Sequence, residues 1–297
     1  MSSTTTVPEA AIAAGAQVRE AAPHGSTRGW LVMWRVELRK LAALLRVRVI
    51  VAGCVLGPVL AVLAVKVTNT TPGDTLFGVW IRASGFAFSL VILNWAGLWA
   101  LPMSISVVAG DICSGEHRLG TWATLLTRSR SRSEILVGKM LATATYTVAI
   151  TLLVAIATTA VGLVAIGQQS LVGLSGSLLD PHTALLATIG SWASILAPML
   201  ALTGIAMLSS VLSRNSWIGV LVPVVVFGVL NLGSLVSAVD PIRPFLPTTG
   251  IEAWHGLVRA DVYTDQIWVS VLVSLAWTML SFGLAAFIFL RRDVVDS

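Results

Sequence analysis

The chain has 297 residues, of which 56% are apolar and only 11% charged, with a formal net charge of +5. A soluble domain carries about 25% charged residues, so the composition excludes an ordinary water-soluble fold. Anionic lipid headgroups explain the positive balance better than nucleic acid does.

Residues 1–26 are rich in Ser, Thr, Ala and Pro and contain no apolar core. They read as a disordered cytoplasmic tail, not as a signal peptide. Residues 27–46 follow a different pattern. Leu31, Trp34, Leu38, Leu41 and Leu45 recur at spacings of three and four, while Arg28, Arg35, Arg39 and Arg46 fall on another face. That periodicity predicts an amphipathic helix lying in the inner membrane interface, with Trp34, Arg35, Glu37, Arg39 and Lys40 as its interfacial residues.

Residues 47–293 alternate long charge-free runs with short polar segments. The runs are Val49–Val65, Ala83–Gly110, Met140–Leu179, Pro181–Ser213, Asn215–Val239 and Gln266–Leu290. A bilayer core takes roughly 20 apolar residues per helix, so each run supplies one span. Gly167 to Ser170 marks the exit from the long third run. The expected spans are 49–66, 84–109, 140–166, 184–210, 216–238 and 267–290. The runs are continuous, unlike the alternation of barrel strands, and backbone in lipid must satisfy its own hydrogen bonds. The fold class is therefore an all-α membrane protein, six transmembrane helices preceded by an interfacial helix. Pro58, Pro102, Pro198 and Pro223 predict kinks, and Gly53 with Gly57 suits helix packing.

With the N-terminus in the cytoplasm, 15 basic residues fall inside and four (Lys66, Arg82, Arg243 and Arg259) outside. That asymmetry places both termini in the cytoplasm. Cys54 and Cys113 then lie where no disulfide forms, and no Cys/His cluster has metal-ligand spacing. In the long outer segment from Val239 to Gln266 and just past its end, Trp254 and Trp268 are expected at the outer interface. A re-entrant turn and a plain surface loop both fit this segment.

The chain offers little chemistry of its own. It has no Walker loop, no charge in the interior of an expected span, Lys66 standing at the outer end of the first, and no filter motif. Gly173-Leu-Ser175-Gly176 matches the serine motif of an intramembrane protease, but Ser175, His182 and His255 all fall in expected outer loops, so a Gly/Ser turn is favoured. The chain is thus not an enzyme by this reading, and transport needs an engine on another chain.

One segment is conspicuously polar. Gly110 to Met140 carries three acidic and five basic residues between two charge-free runs. Glu116, His117 and Arg118 precede a helix break at Gly120-Thr121, where Gly suits the end of one helix and Thr the start of the next. Trp122, Leu125 and Leu126 then share one face, as in a short amphipathic helix that docks in a partner's groove. Arg128, Arg130 and Arg132 suit headgroup contact.

"GEHRLGTWATLLTRSRSRSEILVGKM" resembles the cytoplasmic segment of type-2 ABC exporter permeases. The pattern is carried by Glu116, Arg118, Gly120-Thr121, Leu125-Leu126, Arg128, Ser131-Arg132 and Gly138-Lys139. Ser129 stands where that family often has proline. "VELRKL" (Val36–Leu41) resembles the family's interfacial helix and "FLRRD" (Phe289–Asp293) its C-terminus. The resemblance implies a multi-pass permease of a bacterial cytoplasmic membrane. It implies two copies of a separate cytoplasmic ATPase holding ATP and Mg2+, and a second permease half, identical or related. Glu116 to Leu126 would be the coupling element. The second and fifth spans would face the path, with Phe88, Asn94, Trp95, Trp99, Phe227 and Asn231 as pathway candidates. An aromatic, uncharged path favours an amphipathic or lipophilic cargo such as a drug, antibiotic, peptide or lipid. A sensing or immunity protein built like a permease, or a secondary transporter, are the alternatives.

Overall fold

A computed structural model describes residues 29–68, 71–118, 131–213, 215–233 and 240–291. The described chain is almost entirely helical. Helix α1 spans Gly29–Ala43 and α2 spans Leu45–Thr68. The break falls at Leu44, so Arg46 belongs to the first turn of α2 and not to the interfacial helix expected over 27–46. Helix α3 (Gly85–Trp95) runs through a wide π turn, Ala96–Ala100, into α4 (Leu101–Ala109). A short helix α5 (Ser114–Arg118) precedes α6, Arg132–Ala165. A two-residue hairpin, β1 (Leu171–Val172) and β2 (Leu178–Leu179), leads to α7 (Pro181–Ser194) and α8 (Leu196–Leu212). Helix α9 (Ser216–Gly233), 3-10 turns at Arg243–Phe245 and Thr249–Val258, and α10 (Asp265–Arg291) complete it.

Local rules explain the breaks. Proline has no N–H for the carbonyl four residues back. Pro102 leaves Leu98 without that bond, and the π turn covers Leu98. Pro198 leaves Ser194 without it, and α7 ends at Ser194. Helix α6 starts on a capping box, in which Ser131 Oγ accepts from Glu134 N–H at 3.3 Å and the Glu134 carboxylate accepts from Ser131 N–H at 3.3 Å. The Ser131-Arg132 element of the sequence pattern is thus a helix start.

Five helices are long and apolar enough to cross a membrane: Leu45–Thr68, Gly85–Ala109, Arg132–Ala165, Pro181–Leu212 and Asp265–Arg291. The region of the expected fifth span holds a shorter apolar helix, Ser216–Leu232, which is not among these five. At 1.5 Å per residue it measures about 26 Å, at the short end of what a bilayer needs.

Burial ranks the spans. The window through Pro181–Leu212 is 67% buried and that through Leu45–Thr68 only 11%. Helix α8 packs on α10, α9, α4 and α6, while α6 also carries α1, α2 and α3. Small and hydroxyl residues bring these helices together, as expected where lipid removes the hydrophobic drive. Gly85 and Gly162 cross so closely that a Cβ on Gly85 would lie 2.4 Å from the Gly162 carbonyl oxygen. Thr147 and Thr203 hydroxyls meet at 2.6 Å, and Trp192 Nε1 donates to Ser89 Oγ at 3.0 Å.

Trp254 departs from expectation. It is buried to 1% exposure, with Phe77 at 6.2 Å between ring centroids. The 3-10 turn carrying it is tucked against α7 and α10, so the ring fills the core while Trp268 stays exposed.

Candidate functional site

The charged residues at one end of the bundle turn inward. The buried stripe of α1 is Gly29, Met33, Glu37 and Leu41. It is rotated from the expected leucine face, and Leu45 is exposed in α2. A carboxylate within that stripe is explained by α6. A Cβ on Gly138 would lie 2.6 Å from Met33 Cβ, so only glycine lets α1 settle on α6 at this height. The next residue, Lys139, is fully buried and receives Glu37.

Four charges share the site. Lys139 Nζ lies 2.8 Å from Glu116 Oε1 and 3.2 Å from Glu37 Oε2, and donates to the Ile112 carbonyl at 3.2 Å. Lys40 Nζ bridges the same carboxylates, at 2.8 Å from Glu37 Oε1 and 3.2 Å from Glu116 Oε1. Two lysines and two glutamates cancel, which is the condition under which buried charges are tolerated. The cluster joins α1 to α5 and α6, the two helices flanking the polar segment.

Beside it stands a second group. Asp111 pairs with Arg46 of α2 and accepts from Ser216 Oγ at the start of α9. Ser210 Oγ of α8 accepts from the N–H groups of Cys113 and Ser114, at 3.0 and 3.1 Å. A Cβ on Gly110 would lie 2.3 Å from the Gly219 carbonyl oxygen, so the turn after α4 and helix α9 touch backbone to backbone. Burial pushes the Cys113 thiol up to about 12, which leaves it protonated and a poor nucleophile. In a Cys54→Ser background, Cys113 is expected to resist maleimide at pH 7.5 in the folded chain and to label on denaturation. Rapid labelling of folded protein, read by intact mass, would show that this end of the bundle is open.

The expected coupling residues divide. Glu116, the first residue of the implied coupling element, is held by Lys139 and Lys40. Gly120, Thr121, Trp122, Leu125 and Leu126 lie outside the described residues, as do the side chains of His117 and Arg118 and the tail residues 1–28. On α1, Trp34 Nε1 donates to Thr145 Oγ1 at 3.1 Å, while Arg35 and Arg39 are exposed. The pathway candidates divide too. Phe88 is fully buried in the core and Phe227 is buried, so neither presents a surface to cargo in this chain. The face of α3 that carries Phe88 is taken up by α6. Trp95 and Trp99, at the π turn, are 54% and 47% exposed beside a half-buried Asn94. Ser175 bonds to Ser177 Oγ and to the Ala260 N–H, as a turn residue does.

Asp111 escaped the sequence reading. A signal was present, since a carboxylate directly after a 28-residue charge-free run needs a partner close at hand. Among the described residues no group of His, Cys, Asp and Glu is arranged to hold a metal.

A family model described as ABC-2 family transporter protein matches residues 34–231. The chain belongs to the ABC-2 transporter family. No curated protein matches it. The matched region runs from Trp34 in α1 to Asn231 in α9, so it contains every residue of the ion cluster. This ABC-2 transporter chain is a multi-pass membrane protein of the permease type, and its family implies association with an ABC ATPase. Within it, the Gly138-Lys139 pair acquires a physical meaning: glycine admits α1, and lysine ties it to the segment that begins at Ser114.

Proposed function

We propose that the chain is the membrane subunit of an ATP-driven exporter, coupled through the segment between its second and third spans to a separate cytoplasmic ATPase. What supports this reading, beyond the family, is the ion cluster. Glu116 at the start of the segment and Lys139 shortly after its end are bound to each other and to Glu37 of α1. Any displacement of the segment is thereby passed at once to the interfacial helix and to α6. The ATPase supplies ATP binding, Mg2+ and hydrolysis. In the sequence of that segment, Trp122, Leu125 and Leu126 are the apolar residues suited to a groove on the ATPase. Two ATPase copies and a second permease half complete the assembly in a bacterial cytoplasmic membrane. The exposed Trp95 and Trp99 beside Asn94 suit an amphipathic or lipophilic cargo such as a drug, antibiotic, peptide or lipid.

The test is a pulldown of the detergent-solubilised chain from its own cells, with wild type beside Trp122→Asp/Leu125→Asp. Glu116→Ala is the wrong probe, because it disturbs the internal cluster as well as any docking. A Walker-containing ATPase recovered with wild type and lost with the double variant supports the coupling role. Recovery of no ATPase with wild type would sink it. Loss of efflux with an ATPase-dead partner then separates export from a sensing or immunity role.

A further inference from the structure

The segment 240–258 descends between the spans, and three contacts fix how far. Trp277 Nε1 donates to the Phe245 carbonyl at 2.8 Å, and Trp277 stands near the midpoint of α10, Asp265–Arg291. A long side chain on a helix points back toward the N-terminus. Allowing it one turn, the Phe245 carbonyl lies roughly 12 Å along α10 from Asp265. A Cβ on Gly250 would lie 2.1 Å from Ser270 Oγ and 3.1 Å from Pro198 Cγ, and Pro198 is near the midpoint of Pro181–Leu212. A Cβ on Gly97 would lie 3.3 Å from Ile251 Cγ2, and Gly97 is the midpoint of Gly85–Ala109. Three spans thus agree that residues 245–251 sit at membrane depth. They lie toward the end away from the ion cluster, because Phe289, near the C-terminus of α10, packs with Ile112 and Cys113 beside that cluster.

The backbone of the segment suits this place. At membrane depth irregular backbone must be satisfied by protein or by water. Pro241, Pro244 and Pro247 bring no N–H. The carbonyls of Ile242, Arg243 and Leu246 accept from N–H groups within the segment at 3.0, 3.1 and 3.3 Å. The side chains, however, do not suit lipid. Asp240 and Arg243 pair at 3.6 Å with side chains 59% and 44% exposed, and Glu252, next to Ile251, is exposed. Charge at such depth is costly in hydrocarbon and faces protein or a water-filled cavity. A cavity of about 1020 Å3 lies there, between the segment, Asn231 at the end of α9, and Val269 and Val273 of α10, and Asp240, Arg243 and Glu252 line it.

We propose that this cavity is a water-filled vestibule, walled by a re-entrant segment and open at the end of the bundle away from the ion cluster. It hydrates the charges of the segment and carries water and small hydrophilic solutes into the bilayer between α9 and α10. Helix α10 measures about 40 Å against roughly 30 Å of hydrocarbon, so with equal overhang Val273 lies about 7 Å inside the apolar layer. Surrounded by lipid, that position would be dry; the vestibule makes it wet. The proposal requires the chain to sit in a membrane but does not depend on the ATPase reading.

Thiol accessibility tests it, in the full chain carrying Cys54→Ser and Cys113→Ala, in intact cells and in inverted membrane vesicles. The probe is a membrane-impermeant methanethiosulfonate bearing a sulfonate. The readout is the gel shift that remains when a maleimide polymer is added after denaturation. Three further single changes are compared. Val273→Cys lines the cavity. Leu272→Cys is its neighbour on α10, 67% exposed but outside the cavity lining. Val262→Cys, at a position 58% exposed, marks the end of the bundle at which the vestibule opens. The thiolate is the reactive form, and apolar surroundings suppress it. Val273→Cys is therefore expected to react at least about tenfold faster than Leu272→Cys, and only from the side on which Val262→Cys reacts. An inert Val273→Cys beside a reactive Val262→Cys would mean that the cavity is filled by lipid or protein. Equal rates at positions 272 and 273 would mean that the water is not confined to the cavity. Either result, or reaction of Val273→Cys from the other side, overturns the proposal.

Discussion

Lys139→Met is expected to be among the most damaging single changes in the chain. Methionine keeps the length of the side chain, so little cavity is created, but Glu37 and Glu116 lose their shared buried cation. Removing one partner of a buried ion group costs about 3–5 kcal/mol, because the remaining charge stays desolvated. Lys40 offsets part of this, since its ammonium reaches both carboxylates. The measurement is thermal unfolding of the detergent-purified chain, with Glu37→Gln/Glu116→Gln/Lys139→Met as the control. The triple variant is expected to recover most of the loss, because neutral amides need no counter-charge. An unchanged melting temperature for Lys139→Met alone would mean that the cluster does not bind α1 to α6, and the mechanical argument for coupling would go with it.

The second large effect is a matched pair in α9. Gly219→Ala and Gly228→Ala are the same substitution in the same helix, and they are expected to have opposite signs. On helix propensity alone, alanine in place of an interior glycine gains up to about 1 kcal/mol. A Cβ at Gly228 meets open space, so this gain is expected there. At Gly219 the new carbon would sit 2.3 Å from the Gly110 carbonyl oxygen and 2.6 Å from Ser114 Oγ. Backbone cannot rotate away as a side chain can, so α9 must move off the turn at Gly110. Overpacking of this kind costs about 1–3 kcal/mol. The shift also separates Ser216 from Asp111, so the Arg46–Asp111 pair loosens. Melting temperatures of the two variants decide the matter, and similar shifts in both would show that α9 is not seated where this contact places it.

The apolar elements were legible in the sequence because their cause is local. A charge-free run either is or is not long enough for a bilayer, and proline removes the same carbonyl bond wherever it stands. Pro102 and Pro198 stand at breaks, whereas Pro58 and Pro223 lie inside continuous helices, so proline marks where a break can fall and the packing around it decides whether one does. The polar segment was likewise visible as an interruption between two apolar runs, and its motif order pointed to the family that the match over residues 34–231 establishes.

What sequence by itself determined, then, was which stretches are helical and apolar, and which family they compose. Only the tertiary structure decided which way the charges face. Glu37 sits on a helix whose leucines suggested another inward face, and it turns in because Gly138 lets α1 approach Lys139. Glu116 turns in for the same lysine. Phe88 and Trp95 lie seven residues apart on one face of an apolar helix, yet the first is core against Gly162 of α6 and the second is exposed. Trp254 is core because a 3-10 turn folds back between helices. Direction in each case depends on a neighbour distant along the chain, and a pairing between residues such as 37, 116 and 139 leaves no mark in the periodicity of any one of them.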